Sequence, residues 1–175
     1  MMSKTAPPAD GWNDDQVASV HQAFGLALNA AAAMEKSVQS LLLHQRLTLS
    51  AQEGHILNRH SCWEKVARRP LKEAIRAAAS CMFCDQGLDT TLLAAADRRN
   101  YLAHDFWFDN TDRLYAPGPR TRLAKQLGAD SLIFTELCHR VNRIDDILIE
   151  KLDGTTPSDR AQKVQEVIRS ASAAQ

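Results

Sequence analysis

The chain has 175 residues, a length that suits one domain with one sizeable core. Its 21 Lys and Arg balance its 21 Asp and Glu, so no global basic field exists to draw in nucleic acid or anionic membrane, and any anionic ligand has to be held by a local cluster. Gly (7) and Pro (6) are few while Ala, Leu, Arg and Gln are plentiful, which favours helix over sheet.

Residues 1–12 are polar and Pro-containing and read as a flexible tail. Asn13, Asp14 and Asp15 then offer N-cap candidates. A long helix is expected from there to about Gln45, because Val17, Val20, Phe24, Leu28, Ala31, Met34, Val38 and Leu41 recur in steps of three and four. Gly25 interrupts that pattern at a cost of about 1 kcal/mol relative to Ala. Ser50-x-x-Glu53 and Ser61-x-x-Glu64 both match a capping box, so a short helix is predicted near 51–58 and another from about 62. Pro70 suits the first turn of a new helix, and Leu71 to Met82 holds strong helix formers. Cys84 to Gly87 reads as a turn.

The next helix is predicted from Leu88 to about Phe108, capped by Asp85 or Asp89. Residues 109–128 carry Asn110, Pro117, Gly118, Pro119 and Gly128 and read mainly as a loop. A final long helix is predicted over Ala129 to Asp153, with Ile133, Leu137, Val141, Ile144, Leu148 and Leu152 on one face. Gly154 stops it, and residues 155–175 read as a weaker, loosely docked terminal helix opened by Pro157. The expected fold is all-α: an up-and-down bundle of four to five helices over residues 13–154.

No signal peptide and no apolar run near the ~20 residues of a membrane span are apparent. The expectation is a cytoplasmic protein without membrane contact, whose four cysteines (Cys62, Cys81, Cys84, Cys138) stay reduced. Cys81-x-x-Cys84, with His55, His60 or Cys62, has donors of zinc type, but the spacing is irregular and lacks a second tight pair. The two are expected as small core residues, with no metal and no cofactor. His21, His44 and His139 stand singly on predicted helices and read as structural or exposed.

The physical anomaly lies in Arg98-Arg99-Asn100-Tyr101-Leu102-Ala103-His104. The stripe Leu88, Leu92, Ala95, Arg99, Leu102, Phe106 has helical spacing, yet one member is a charge. The adjacent stripe Leu93, Ala96, Asn100, His104, Trp107 holds two polar members, four apart and on one face. A buried unpaired charge is costly, so Arg99 needs a partner or an opening to water. Two readings stand side by side. In one, Arg99 pairs with a carboxylate on another helix and Asn100 and His104 are satisfied core groups. In the other, the three form a site. Arg99 and His104 are five residues apart, about 140° around an ideal helix, so a site built from both needs a curled arginine, a deformed helix or a second chain.

The segment Ala96-Asp97-Arg98-Arg99-Asn100-Tyr101-Leu102-Ala103-His104-Asp105-Phe106-Trp107 resembles the signature of HEPN domains, helical bundles with an Arg, four to six residues and a His, in which Asn often follows the Arg. The version with Leu-Ala before the His and an aromatic pair after it is similar to that of many small bacterial members. The likeness in architecture covers about residues 14–153 and the motif itself residues 96–107. Lys72 stands where those relatives usually carry a glycine.

The resemblance implies a metal-independent endoribonuclease, a toxin or defence effector with an antitoxin protein as partner, acting as a homodimer. The alternative it implies is a non-catalytic dimerisation or partner-binding module, since many members are of that kind. Carried over, His104 acts as general base or acid on the RNA 2′-hydroxyl or leaving oxygen, Arg99 neutralises phosphate charge, and Asn100 orients either. The residue types suit this, because imidazole titrates near neutrality and guanidinium matches phosphate oxygens in a fork. Some members carry a modifiable tyrosine two residues after the histidine; here that place is Phe106. Arg98 and, from a basic stretch between Arg59 and Arg76, Arg68, Arg69 and Lys72 are the candidates for contacting RNA.

Overall fold

The computed structural model describes residues 14–114, 116–154, 156, 158, 159 and 162. The predicted tail over 1–12 lies outside them, as does most of the predicted terminal segment 155–175. Ser158, Asp159 and Gln162 of that segment are helical. Thr156 and Asp159 exchange the reciprocal hydrogen bonds of a capping box: the Thr156 N–H donates to Asp159 Oδ2 (2.9 Å) and the Asp159 N–H to Thr156 Oγ1 (3.3 Å).

Among the described residues there are six α-helices, α1 (Asp14–Gln52), α2 (Arg59–Ala67), α3 (Leu71–Ala78), α4 (Leu88–His104), α5 (Phe106–Leu114) and α6 (Pro117–Asp153), one 3-10 turn (Ala79–Cys81) and no strand. The all-α expectation holds, with more helices than the four to five predicted.

Cross-helix pairs set the directions of the main helices. α2 runs antiparallel to α1, with Arg59 opposite His44 and Trp63 opposite Lys36. α4 runs antiparallel to both long helices, pairing Arg99 with Glu35 of α1 and Arg98 with Asp130 of α6. α6 returns parallel to α1, in a register fixed by Ser37 against Cys138 and His44 against Asp145. Between the helices lies one apolar core. Val20, Ala27, Ala31, Met34, Val38 and Leu41 meet Leu88, Leu92 and Leu102 of α4 and Leu127, Phe134, Leu137, Val141 and Ile144 of α6. Ile133, predicted on the buried face, is exposed; Phe134 takes its place.

Helix boundaries differ from expectation for identifiable reasons. α1 continues to Gln52 because Gln45 and Ser50 turn inward and find partners: Gln45 Nε2 donates to Ser80 Oγ (2.7 Å) and Ser50 Oγ to the His55 carbonyl (3.1 Å). Ser50 thus closes a helix instead of opening one at 51–58, and Gly54, at φ +75°, makes the exit turn. α2 starts earlier than predicted because Asn58, not Ser61, is its N-cap, its Oδ1 accepting the Ser61 N–H (3.0 Å). α4 is capped by neither Asp85 nor Asp89. Gly87, at φ +76°, precedes it, and Asp85 is drawn to Arg140 of α6.

The largest correction concerns 105–128. The predicted helix to Phe108 breaks at Asp105, and α5 restarts at once. This break turns Phe106 into the core (2% exposed) and sets Trp107 against Phe24 and His21, with ring centroids 4.6 Å and 4.7 Å away. The predicted loop over 109–128 is largely helical. Asn110 is buried and bonds the Phe106 carbonyl and the Tyr101 hydroxyl, so it extends α5. The Pro-Gly-Pro run falls in the first turn of α6, where a proline costs no hydrogen bond.

One helix, α1, is long and apolar enough to cross a membrane by length and composition alone, contrary to the expectation of no such run. Its polar residues Ser37, Gln39, His44 and Gln45 are buried against other helices of the bundle.

Candidate functional site

α4 presents the motif at its C-terminal end. Leu102 is buried and points the helix at the core, while Asn100 and His104 share an exposed face. His104 is the last residue of α4, beside the Asp105 break. Arg99 is half-buried. Its Nη2 donates to Glu35 Oε2 of α1 (2.8 Å) and its Nη1 to Asn100 Oδ1 (3.2 Å). The structure therefore resolves the arginine on the apolar stripe by a carboxylate from another helix, and by its own neighbour. Asn100 and His104 are not core groups. Arg99 and Asn100 are brought into contact; among the described residues His104 hydrogen-bonds to neither, in keeping with the angle between the two positions.

The four expected RNA contacts are scattered in role. Arg98 is not free: its Nε and Nη2 form a two-pronged bond to Asp130 (3.0 Å and 2.6 Å), and its guanidinium lies 4.8 Å from the Tyr101 ring centre. Lys72 is ion-paired with Asp97. Arg68 and Arg69 sit at the end of α2, the first exposed and the second half-buried. Phe106, at the place where some HEPN members have a tyrosine, is buried, so a hydroxyl there would not be presented to solvent.

Sequence reasoning passed over a second cluster. His44 (α1) and Asp145 (α6) are both buried and meet at 2.8 Å between Nδ1 and Oδ1. Ser40 Oγ donates to the other carboxylate oxygen (2.7 Å). On the far side of the ring, Arg59 Nη2 lies 3.1 Å from His44 Nε2. A guanidinium only donates, so Nε2 accepts and the ring proton sits on Nδ1, facing the carboxylate. Asp145, His44 and Arg59 thus form one chain of hydrogen bonds from the core to the surface. A signal existed: Asp145 follows Val141 by four residues and precedes Leu148 by three, so it interrupts an apolar face as Arg99 does.

The cysteines behave differently from one another. Cys81 packs partly against the core, and burial, reinforced by the nearby negative charge of Asp145 and then Cys84, pushes its thiol up. That opposes nucleophilic reactivity. Cys84, expected in the core, is exposed. Among the described residues no three His, Cys, Asp or Glu side chains converge as metal ligands. Asp85 is held below the usual carboxylate range by the hydrogen bonds from Arg140.

Compared with protein-family models, with curated proteins and with solved structures, the chain matches none.

Proposed function

We propose that this chain is a HEPN-like helical domain that cleaves RNA without a metal, as a homodimer, through Arg99, Asn100 and His104. The observation that carries the reading is the exposed pair Asn100 and His104 on the last turns of α4, with the Arg99 guanidinium anchored beside Asn100. Phe108, four residues beyond His104, is 88% exposed, an apolar side chain that a second copy would cover. In this scheme one His104 takes the proton of a 2′-hydroxyl as its oxygen attacks the adjacent phosphorus. The partner copy's histidine supplies a proton to the departing 5′-oxygen, and Arg99 balances the charge gathering on the phosphate. General acid–base help of this kind is worth roughly 10²–10⁴-fold.

One observation favours the second reading, a non-catalytic module that dimerises or binds a protein partner. Glu35 sits on Arg99 at 2.8 Å and neutralises the charge that the reaction would use. Incubation of purified protein with RNA in EDTA separates the two. The enzyme reading expects cleavage that His104→Ala and Arg99→Ala both abolish. Absence of cleavage across structured and single-stranded RNAs overturns it in favour of the module, and equal cleavage by wild type and variants assigns the activity to a contaminant.

A further inference from the structure

Three half-buried arginines each meet a carboxylate, Arg98 with Asp130, Arg99 with Glu35 and Arg140 with Asp85, while the buried Arg120 donates to the Leu114 carbonyl. Arg59 differs. Among the described residues it has no carboxylate within ion-pairing distance and leans instead on the imidazole of His44. A guanidinium that donates to a neutral ring keeps its full charge and most of its five N–H donors for something else. The residue holding it is fixed from behind, since His44 is locked by the buried Asp145, itself held by Ser40. This is a rigid mount for a surface cation that, among the described residues, no carboxylate touches directly.

The mount borders a cleft of about 500 Å³ lined by Ser40, Leu43, His44, Arg59, His60 and Trp63, within the range of small-molecule sites. Trp63 is one turn along α2 from Arg59, about 5–6 Å further on, and it forms a half-buried apolar wall. Lys36 of α1 lies 5.5 Å from the Trp63 ring centre and adds a second cation at that end. The nearest acidic side chain on α2, Glu64, faces His60 at 3.7 Å. A second cleft shares His44 and Arg59 and is lined also by Asp153. The charge of Arg59 is therefore open to an anion on the Trp63 side.

We propose that this cleft binds a small phosphate monoester carrying a flat apolar group, the phosphate on Arg59 and the apolar group against Trp63. The site is separate from the Arg99–His104 face and stands whether or not that face cleaves RNA. The probe is phenyl phosphate, titrated into the full chain and followed by calorimetry and by tryptophan fluorescence, with circular dichroism confirming that each variant is folded. Saturable binding in the micromolar to low-millimolar range is expected, tighter than that of inorganic phosphate. Arg59→Gln should raise Kd at least tenfold. Arg59→Lys, which keeps the charge and loses the fork, should fall between, while Arg113→Gln on α5 should bind as wild type does. Lack of saturation by 10 mM (about the weakest useful affinity on this scale), an unchanged Kd in Arg59→Gln, or equal affinity for benzoate would each overturn the proposal.

Discussion

Replacing His44 by alanine tests the buried chain most directly. His44 and Asp145 side chains are only 5% and 7% exposed, so in the wild type the carboxylate depends on protein partners rather than on water. The variant removes the Nδ1–H donor to Asp145 Oδ1 and the acceptor for Arg59, while the Ser40 hydroxyl still holds Oδ2. One buried carboxylate oxygen is left unsatisfied, and a space opens where the ring stood. Leaving a buried charged group short of a partner costs about 3 kcal/mol. For a domain of this size each kcal/mol moves Tm by roughly 2–4 °C, so a fall of about 6–12 °C is expected. Lys72→Ala is the control. It deletes an ion pair whose members are 36% and 66% exposed, and such pairs are worth about 0–1 kcal/mol. Urea and thermal unfolding followed by circular dichroism read both. A coupling of at least about 1 kcal/mol between His44→Ala and Asp145→Ala is expected in a double-mutant cycle. If His44→Ala were no more destabilising than Lys72→Ala, or if the cycle were additive, the pair would not be the buried, mutually dependent unit described.

Two further outcomes follow from the ion pairs. Arg98→Ala should lower stability by about 2 kcal/mol, because it strips a two-pronged bond from the nearly buried Asp130; a urea midpoint within error of wild type would contradict this. Arg140 depresses Asp85, so their pair contributes stability that is present above the ordinary carboxylate pKa and is lost as pH falls through the depressed value. The Tm difference between wild type and Asp85→Asn should therefore be steady from pH 6 to 8 and shrink below about pH 4; a difference that widens in acid would refute the assignment.

The helical class and the core face of α1 were legible because apolar residues repeat with helical period over many turns, a signal that local detail cannot mask. The boundaries were not, because they depend on tertiary partners. Ser50 and Asp85 carry the chemistry of caps, yet each bonds elsewhere once the fold supplies a nearer partner. Pro117, Gly118 and Pro119 read as loop, and only the position of a helix start makes them tolerable. Arg99 was visible as a charge on an apolar stripe, and the structure names its counter-charge, Glu35, which lies 64 residues away and leaves no local trace. His44 looked like an isolated histidine for the same reason: its partner is on the last long helix.

The parallel register of α1 and α6 has a consequence for how the molecule comes into being. Ser37 meets Cys138, and His44 meets Asp145, each across 101 positions of chain. At synthesis rates of about 5–20 residues per second, α1 emerges some 5–20 s before its main packing partner. Over that interval α2, α3 and α4 can cover only part of its apolar face, and contacts of such long range close slowly in any case. His44 spends the same interval without its carboxylate. The arrival of Phe134, Leu137, Val141 and Ile144 completes the core, and in the same step Asp145 fastens the histidine and, through it, Arg59. The surface cation is set in place by the last long helix to be made.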